Sequence, residues 1–137
     1  MIKPTGSWVA IPTPFNADMS IDFGGFETLV DFHLAHGTSM LFCMGSAGEA
    51  TMMTLEERKE VVRRMVAICK GRIPVFFGST LNTTAATIEF AQYAEAEGAD
   101  GLIFPAPCYL LPPQTAVKEF YLKAVSYTHL RAHETEA

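Results

Sequence analysis

Four times along this chain a short run of apolar residues, rich in β-branched and aromatic types, precedes a longer segment whose apolar residues recur at helical spacing. That alternation constrains the fold more than any other feature. A strand, an amphipathic helix and a further strand form the repeating unit of a parallel sheet with helices packed on it. The runs fall at 8–11, 40–44, 75–77 and 102–104, and they stop at Pro12, Gly45, Gly78 and Pro105. The second is continuously apolar, as expected of a strand covered on both faces.

The intervening segments carry helix signals of their own. In the first, Phe26, Leu29, Val30 and His33 are spaced by three and four, with Asp22 placed to cap and Gly37 to terminate. The second has Thr54 and Glu57 in capping-box register, a stripe of Val61, Val62, Met65 and Val66, and Gly71 at its end. The third starts near Thr83, runs through Ile88, Ala91 and Ala94, and stops at Gly98. The fourth presents Val117, Phe120, Tyr121 and Ala124. Units of about thirty residues punctuated in this way are the pattern of a TIM (β/α)8 barrel, which needs about 250 residues. A chain of 137 residues predicts the first four βα units, assigned to residues 1–126. The stretch SYTHLRAHETEA is polar where the rhythm calls for a fifth apolar strand. It resembles translated adapter sequence, so residues 127–137 are read as a non-native tail.

Composition narrows the partners. A formal net charge of −5 and the lack of a Lys/Arg run argue against nucleic acid, whose phosphates demand a concentrated basic face. No stretch approaches the roughly 20 apolar residues of a membrane span, and MIKPTGSWVAIP lacks the features of a secretory signal, so a cytoplasmic protein is expected. Cys43, Cys69 and Cys108 are widely spaced and read as reduced thiols. His33 and His36, and His129 and His133, have spacings that can hold zinc but lack a third ligand nearby, so no metal is expected. Met40, Met44, Met52, Met53 and Met65 read as core filler and turn cover.

In a parallel barrel the carboxyl ends of the strands converge on one rim, where chemistry is expected. The rim loops here are 12–14, 45–49 (GSAGE), 78–82 (GSTLN) and 105–109 (PAPCY). Glycines flanking small residues in GSAGE let the amides of 46–48 turn inward and hold a carboxylate, which implies a small anionic ligand. The bland alternative is a βα turn that needs small residues. Glu49 reads as structural, pairing with loop amides or capping. Thr13 and Asn82 fit either a turn-stabilising or a site-lining role.

At GSAGEATMMT the chain resembles the Gly-Ser/Thr-Thr-Gly-Glu loop of the dihydrodipicolinate synthase and N-acetylneuraminate lyase family, with the same Leu-Glu-Glu-Arg style of helix start after it. VAIPTPF is similar to that family's first strand, GSTLNTTAATIEFAQYAEAEGADGL to its third unit, and FPAPCY to the fourth strand leading to an active-site tyrosine. The four motifs stand in the family's order and span residues 5–126.

The resemblance implies class I aldolase chemistry without metal or cofactor, in which pyruvate condenses with a lysine amine and the enamine reacts with an aldehyde. It makes Ser46 the hydroxyl of a proton relay and Tyr109 the relay tyrosine that crosses a subunit interface. The amides of Ser46 and Ala47, with Gly48 in the same turn, become the substrate-binding cradle. Ala47 departs from the family, which carries a second hydroxyl there, and this leaves the substrate open. The Schiff-base lysine belongs to the family's sixth strand and is absent from this chain. Lys59, Lys70, Lys118 and Lys123 sit on helical segments and are expected to be solvated.

The favoured activity is that of a 4-hydroxy-tetrahydrodipicolinate synthase, joining pyruvate to aspartate semialdehyde in lysine biosynthesis, by a homodimer or homotetramer. N-acetylneuraminate lyase, keto-deoxy sugar acid aldolase and hydratase-aldolase remain open. So does a reading from another class, a non-catalytic half-barrel fragment.

Overall fold

The computed structural model describes residues 5–107 and 111–127. Strands β1 (Trp8–Ala10), β2 (Met40–Cys43), β3 (Val75–Gly78) and β4 (Gly101–Ile103) alternate with helices α1 (Phe23–Ala35), α2 (Leu55–Cys69), α3 (Thr84–Glu97) and α4 (Gln114–Ser126). All strand pairs are parallel, in the order β1-β2-β3-β4, with Val9 beside Leu41, Leu41 beside Val75, and Phe76 beside Gly101. This is the βα repeat expected from the alternation of runs. Among the described residues no helix is long and apolar enough to cross a membrane.

Because side chains alternate along a strand, each strand offers one set to the helices and one to the opposite face. The helix side holds Leu41, Cys43, Val75, Phe77 and Leu102. They join Phe26 and Val30 of α1, Val61, Val62, Met65 and Cys69 of α2, Phe90, Ala91 and Ala94 of α3, and Ala124 of α4 in one buried cluster. Removing a ring such as that of Phe77 from this cluster costs about 3–5 kcal/mol. The other face is aromatic, with the rings of Trp8 and Phe76 5.3 Å apart between centroids. Glycine makes room for these rings: a Cβ on Gly101 would lie 2.0 Å from Phe76, and one on Gly45 2.6 Å from Phe42.

The helix boundaries follow the sequence signals closely. The Asp22 carboxylate accepts from the amide of Gly25, and Thr83 accepts from Ala86. At α2 the capping box is complete. The Thr54 hydroxyl accepts from the Glu57 amide at 3.2 Å, and the Glu57 carboxylate accepts from the Thr54 amide at 2.8 Å. Gly37, Gly71 and Gly98 stand with positive φ where α1, α2 and α3 end, a left-handed turn that relieves the last carbonyls. The stripes differ in one respect. Val66, Ile88 and Val117 are only half-buried, whereas Arg58 of α2 is buried.

The strands differ by a residue at some ends. Ile11 still donates to the Phe42 carbonyl at 3.0 Å, but Pro12 has no amide with which to extend the ladder. Met44 leaves β2 because its backbone turns left-handed, with φ of 58°. The fourth strand starts at Gly101 and ends at Ile103, one position earlier than its apolar run, because Gly101 is the partner that fits beneath Phe76.

Gly78 closes β3 against the end of β2. A Cβ there would lie 2.1 Å from the Met44 carbonyl oxygen and 2.9 Å from its carbon, main-chain atoms that cannot swing aside. Gly78→Ala should therefore destabilise the fold by about 2–3 kcal/mol, as overpacking against backbone does, measured as a lower urea midpoint with unchanged slope. Thr54→Ala should cost about 1 kcal/mol through the lost cap. Its two hydrogen bonds to Thr54 hold the Glu57 carboxyl below its ordinary pKa. The stability it adds is thus present above the ordinary carboxylate pKa and lost as pH falls through the folded value. The melting-temperature difference between the wild type and Glu57→Gln should shrink over that acid range.

Candidate functional site

The rim loops are tied together by side chains that donate to main-chain carbonyls. Thr13, 5% exposed, follows β1, and its hydroxyl donates to the Gly48 carbonyl at 2.7 Å. Arg58 reaches from α2 to two further loops, donating from Nη2 to the Ala50 carbonyl at 2.5 Å and from Nη1 to the Thr80 carbonyl at 3.3 Å. Thr80 in turn donates through its hydroxyl to the Pro105 carbonyl at 2.6 Å. The loops after β1, β2, β3 and β4 are thereby linked in sequence around the rim.

Within GSAGE the chain makes a tight turn. The Gly48 amide donates to the Gly45 carbonyl at 3.1 Å and the Glu49 amide to that of Ser46 at 3.2 Å. A 3-10 turn (Ala50–Met52) follows. Gly48 is buried with no room for a side chain, since a Cβ would lie 2.9 Å from the Met44 nitrogen and 3.3 Å from the Ile11 carbonyl oxygen. Met44 and Glu49, with φ of 58° and 52°, bracket the turn in left-handed conformations. Such torsions cost roughly 1–3 kcal/mol each in residues other than glycine and persist where the surroundings impose them.

Three amides of this turn are expected to serve as donors to a ligand; the structure leaves two. Gly48 spends its amide within the turn, and its contribution is steric. Ser46 and Ala47 are exposed, and neither their amides nor the Ser46 hydroxyl has a hydrogen-bond partner among the described residues. Two adjacent unpaired amides with a hydroxyl beside them are chemically suited to a carboxylate.

The remaining candidates divide. Thr13 is committed to the turn through its bond to Gly48. Asn82 is exposed just before α3, and its amide makes no hydrogen bond among the described residues. Glu49 stands at the start of the 3-10 turn, but its carboxylate makes no capping bond, so the capping role expected for that side chain is not what it performs. Its backbone torsion is its structural contribution. Tyr109 and Cys108 lie outside the described residues.

Ser79, fully buried, was not singled out by its sequence context. Its amide donates to the Ile103 carbonyl at 2.9 Å and its hydroxyl to that of Phe77 at 3.1 Å, extending the β3–β4 pairing onto the rim.

No lysine among the described residues stands on a strand. Lys59 lies on α2, 3.6 Å from Glu56 and 5.7 Å from the centre of the Tyr93 ring. Its side chain is 26% exposed and less solvated than expected, because its stem lies across that ring. Lys70 follows the same helix, and Lys118 and Lys123 are exposed on α4. Burial pushes the Cys43 thiol up, and that of Cys69 to about 12, which leaves both unreactive. His33 engages the Thr38 hydroxyl and His36 the Phe32 carbonyl. Among the described residues no three His, Cys, Asp or Glu side chains gather as a metal site would require.

Known proteins match this arrangement. The pattern of the dihydrodipicolinate synthetase family fits residues 3–132. The 4-hydroxy-tetrahydrodipicolinate synthase of Alkaliphilus oremlandii (strain OhILAs) is 39% identical over 91% of this chain and 43% of its own length. That of Pseudomonas aeruginosa is 37% identical over 85% of this chain and 40% of its own. The crystal structure of dihydrodipicolinate synthase from Aquifex aeolicus superposes with a TM-score of 0.88 at 30% identity, covering 91% of this chain and 42% of that one. YagE, a prophage protein of the dihydrodipicolinic acid synthase family from E. coli K12 solved in complex with pyruvate, gives 0.88 at 30% identity, with coverage of 92% and 42%. The chain thus spans about two fifths of the length of the relatives it matches, and its four βα units are the N-terminal part of a (β/α)8 barrel. Matched along nearly all its length by pattern, sequence and structure, this chain belongs to the dihydrodipicolinate synthetase family.

Proposed function

We propose that this chain supplies the keto-acid-binding part of a Schiff-base-forming, pyruvate-dependent lyase resembling 4-hydroxy-tetrahydrodipicolinate synthase. The observation that carries the reading is the GSAGE turn. Ser46 and Ala47 are exposed at the carboxyl end of β2 with amides unpaired among the described residues, while Thr13, Gly48 and Gly78 lock the turn to its neighbours. The family's structure in complex with pyruvate supports the choice of ligand.

In this reading the pyruvate carboxylate accepts hydrogen bonds from the amides of Ser46 and Ala47. That fixes the ketone carbon before a lysine amine of the barrel's later part attacks it and water is expelled. The resulting iminium withdraws electrons, so loss of a methyl proton gives an enamine that adds to the aldehyde carbon. The Ser46 hydroxyl, with Tyr109 brought from a neighbouring subunit, passes the protons that these steps release and consume. Ala47 offers only its amide, so one side-chain contact common in the family is absent. The enzyme acts in the cytoplasm as a homodimer or homotetramer, with residues 1–126 forming the barrel segment and 127–137 a non-native tail. Aspartate semialdehyde is the favoured aldehyde partner.

A second reading applies to these 137 residues taken alone, that they bind without turnover. The positions of the described lysines, all on or beside helices, favour it. Borohydride reduction in the presence of pyruvate tests both. A gene product extended through the sixth βα unit should acquire one pyruvate-derived adduct on a strand lysine, and failure to do so would remove the aldolase assignment. The 137-residue chain should acquire none, and an adduct on it would overturn the non-catalytic reading. In the extended protein Ser46→Ala should lower kcat by about 100-fold or more, as loss of a proton-transfer group does, with a smaller effect on KM.

A further inference from the structure

Arg58 is the least expected residue of the buried interior. It stands on the face of α2 that carries Val61, Val62 and Met65, and only 6% of it is exposed. No carboxylate compensates it among the described residues. Its hydrogen bonds go to the carbonyls of Ala50 and Thr80, and its buried Nε has no partner among the described residues. Burial alone draws its pKa below the ordinary value. Holding a cation this way is costly unless its hydrogen bonds are needed, and here they go to two separate loops. Apolar packing of the α2 face therefore does not account for Arg58. Its contacts do: Ala50 follows directly on the GSAGE turn, Thr80 lies in the loop after β3, and no other described side chain hydrogen-bonds to both segments.

We infer that Arg58 is a positioning residue for the keto-acid cradle. It sets the 45–49 turn against the 78–82 loop and keeps a permanent positive charge against Ala50, the residue next to that turn. The inference rests on the reading of that turn as a carboxylate cradle and adds to it a source of anion preference.

The test compares the 137-residue chain with its Arg58→Met and Arg58→Lys variants by thermal unfolding, by hydrogen exchange of segments 46–52 and 79–82, and by pyruvate titration of the Ser46 and Ala47 amide resonances. Arg58→Met, which leaves the Ala50 and Thr80 carbonyls without their donor, should exchange faster in both segments and bind pyruvate about ten-fold more weakly or worse, as loss of a charged hydrogen-bonding group predicts. Arg58→Lys, which keeps the charge but cannot bridge two carbonyls as a fork does, should fall between them. Unchanged exchange and unchanged titration in Arg58→Met would overturn the inference. So would a lowered melting temperature with pyruvate binding retained, the mark of a purely structural role. If Arg58→Met does not fold, Arg58→Lys decides, and wild-type exchange and affinity in that variant would count against the inference. A wild type whose Ser46 and Ala47 amides ignore pyruvate would sink the cradle itself, whereas the exchange comparison would still judge whether Arg58 joins the loops.

Discussion

Loops at the end of a parallel sheet leave main-chain carbonyls without partners, and how these are satisfied decides what the rim can do. Here hydroxyls and a guanidinium satisfy them: Thr13 takes the carbonyl of Gly48, Arg58 those of Ala50 and Thr80, and Thr80 that of Pro105. Most buried polar groups are paired, and in this rim the pairing consumes acceptors. The amides of Ser46 and Ala47 are left over. Free donors beside carbonyls that are mostly engaged form a surface that an anion completes, and this accounting supports the chemistry proposed for the turn.

The same rim depends on close approach between backbones. Gly78 against Met44, and Gly48 against Met44 and Ile11, bring the ends of three strands nearer than side chains would permit. Beneath them the sheet is asymmetric. The helix side is packed into one cluster, while the opposite side sets the large rings of Phe42 and Phe76 against glycines and that of Trp8 against Phe76, the alternation of large and small that fills a barrel interior in layers.

Much of the fold was legible because its signals are local. Asp22 and Thr54 with Glu57 cap the helices they were read to cap, and Thr83 caps the helix read to start near it, since a cap needs only a side chain and an amide three residues on. The turn at GSAGE was legible for the same reason, as small residues between glycines. What escaped depends on contacts distant in sequence. Arg58 continues the spacing of Val61, Val62 and Met65, but a reading that counts apolar residues passes over a cation, and its carbonyl partners lie 8 and 22 residues away. The Gly48 amide looked available because only the folded turn shows that Gly45 occupies it. The start of β4 was misplaced by one because the ring of Phe76 selects Gly101.

The left-handed backbones of Met44 and Glu49 bear on portability. Neither residue adopts such torsions readily by itself; Met44 precedes the pentapeptide and Glu49 is its last residue, and the shape between them is enforced by Thr13, Gly78 and Arg58 from outside. Transplanted into a foreign scaffold, GSAGE would relax to some other turn. The anion-receptor role proposed for it belongs to the assembled rim, and substitutions in distant α2 or β3 can therefore reshape it without touching any of its five residues.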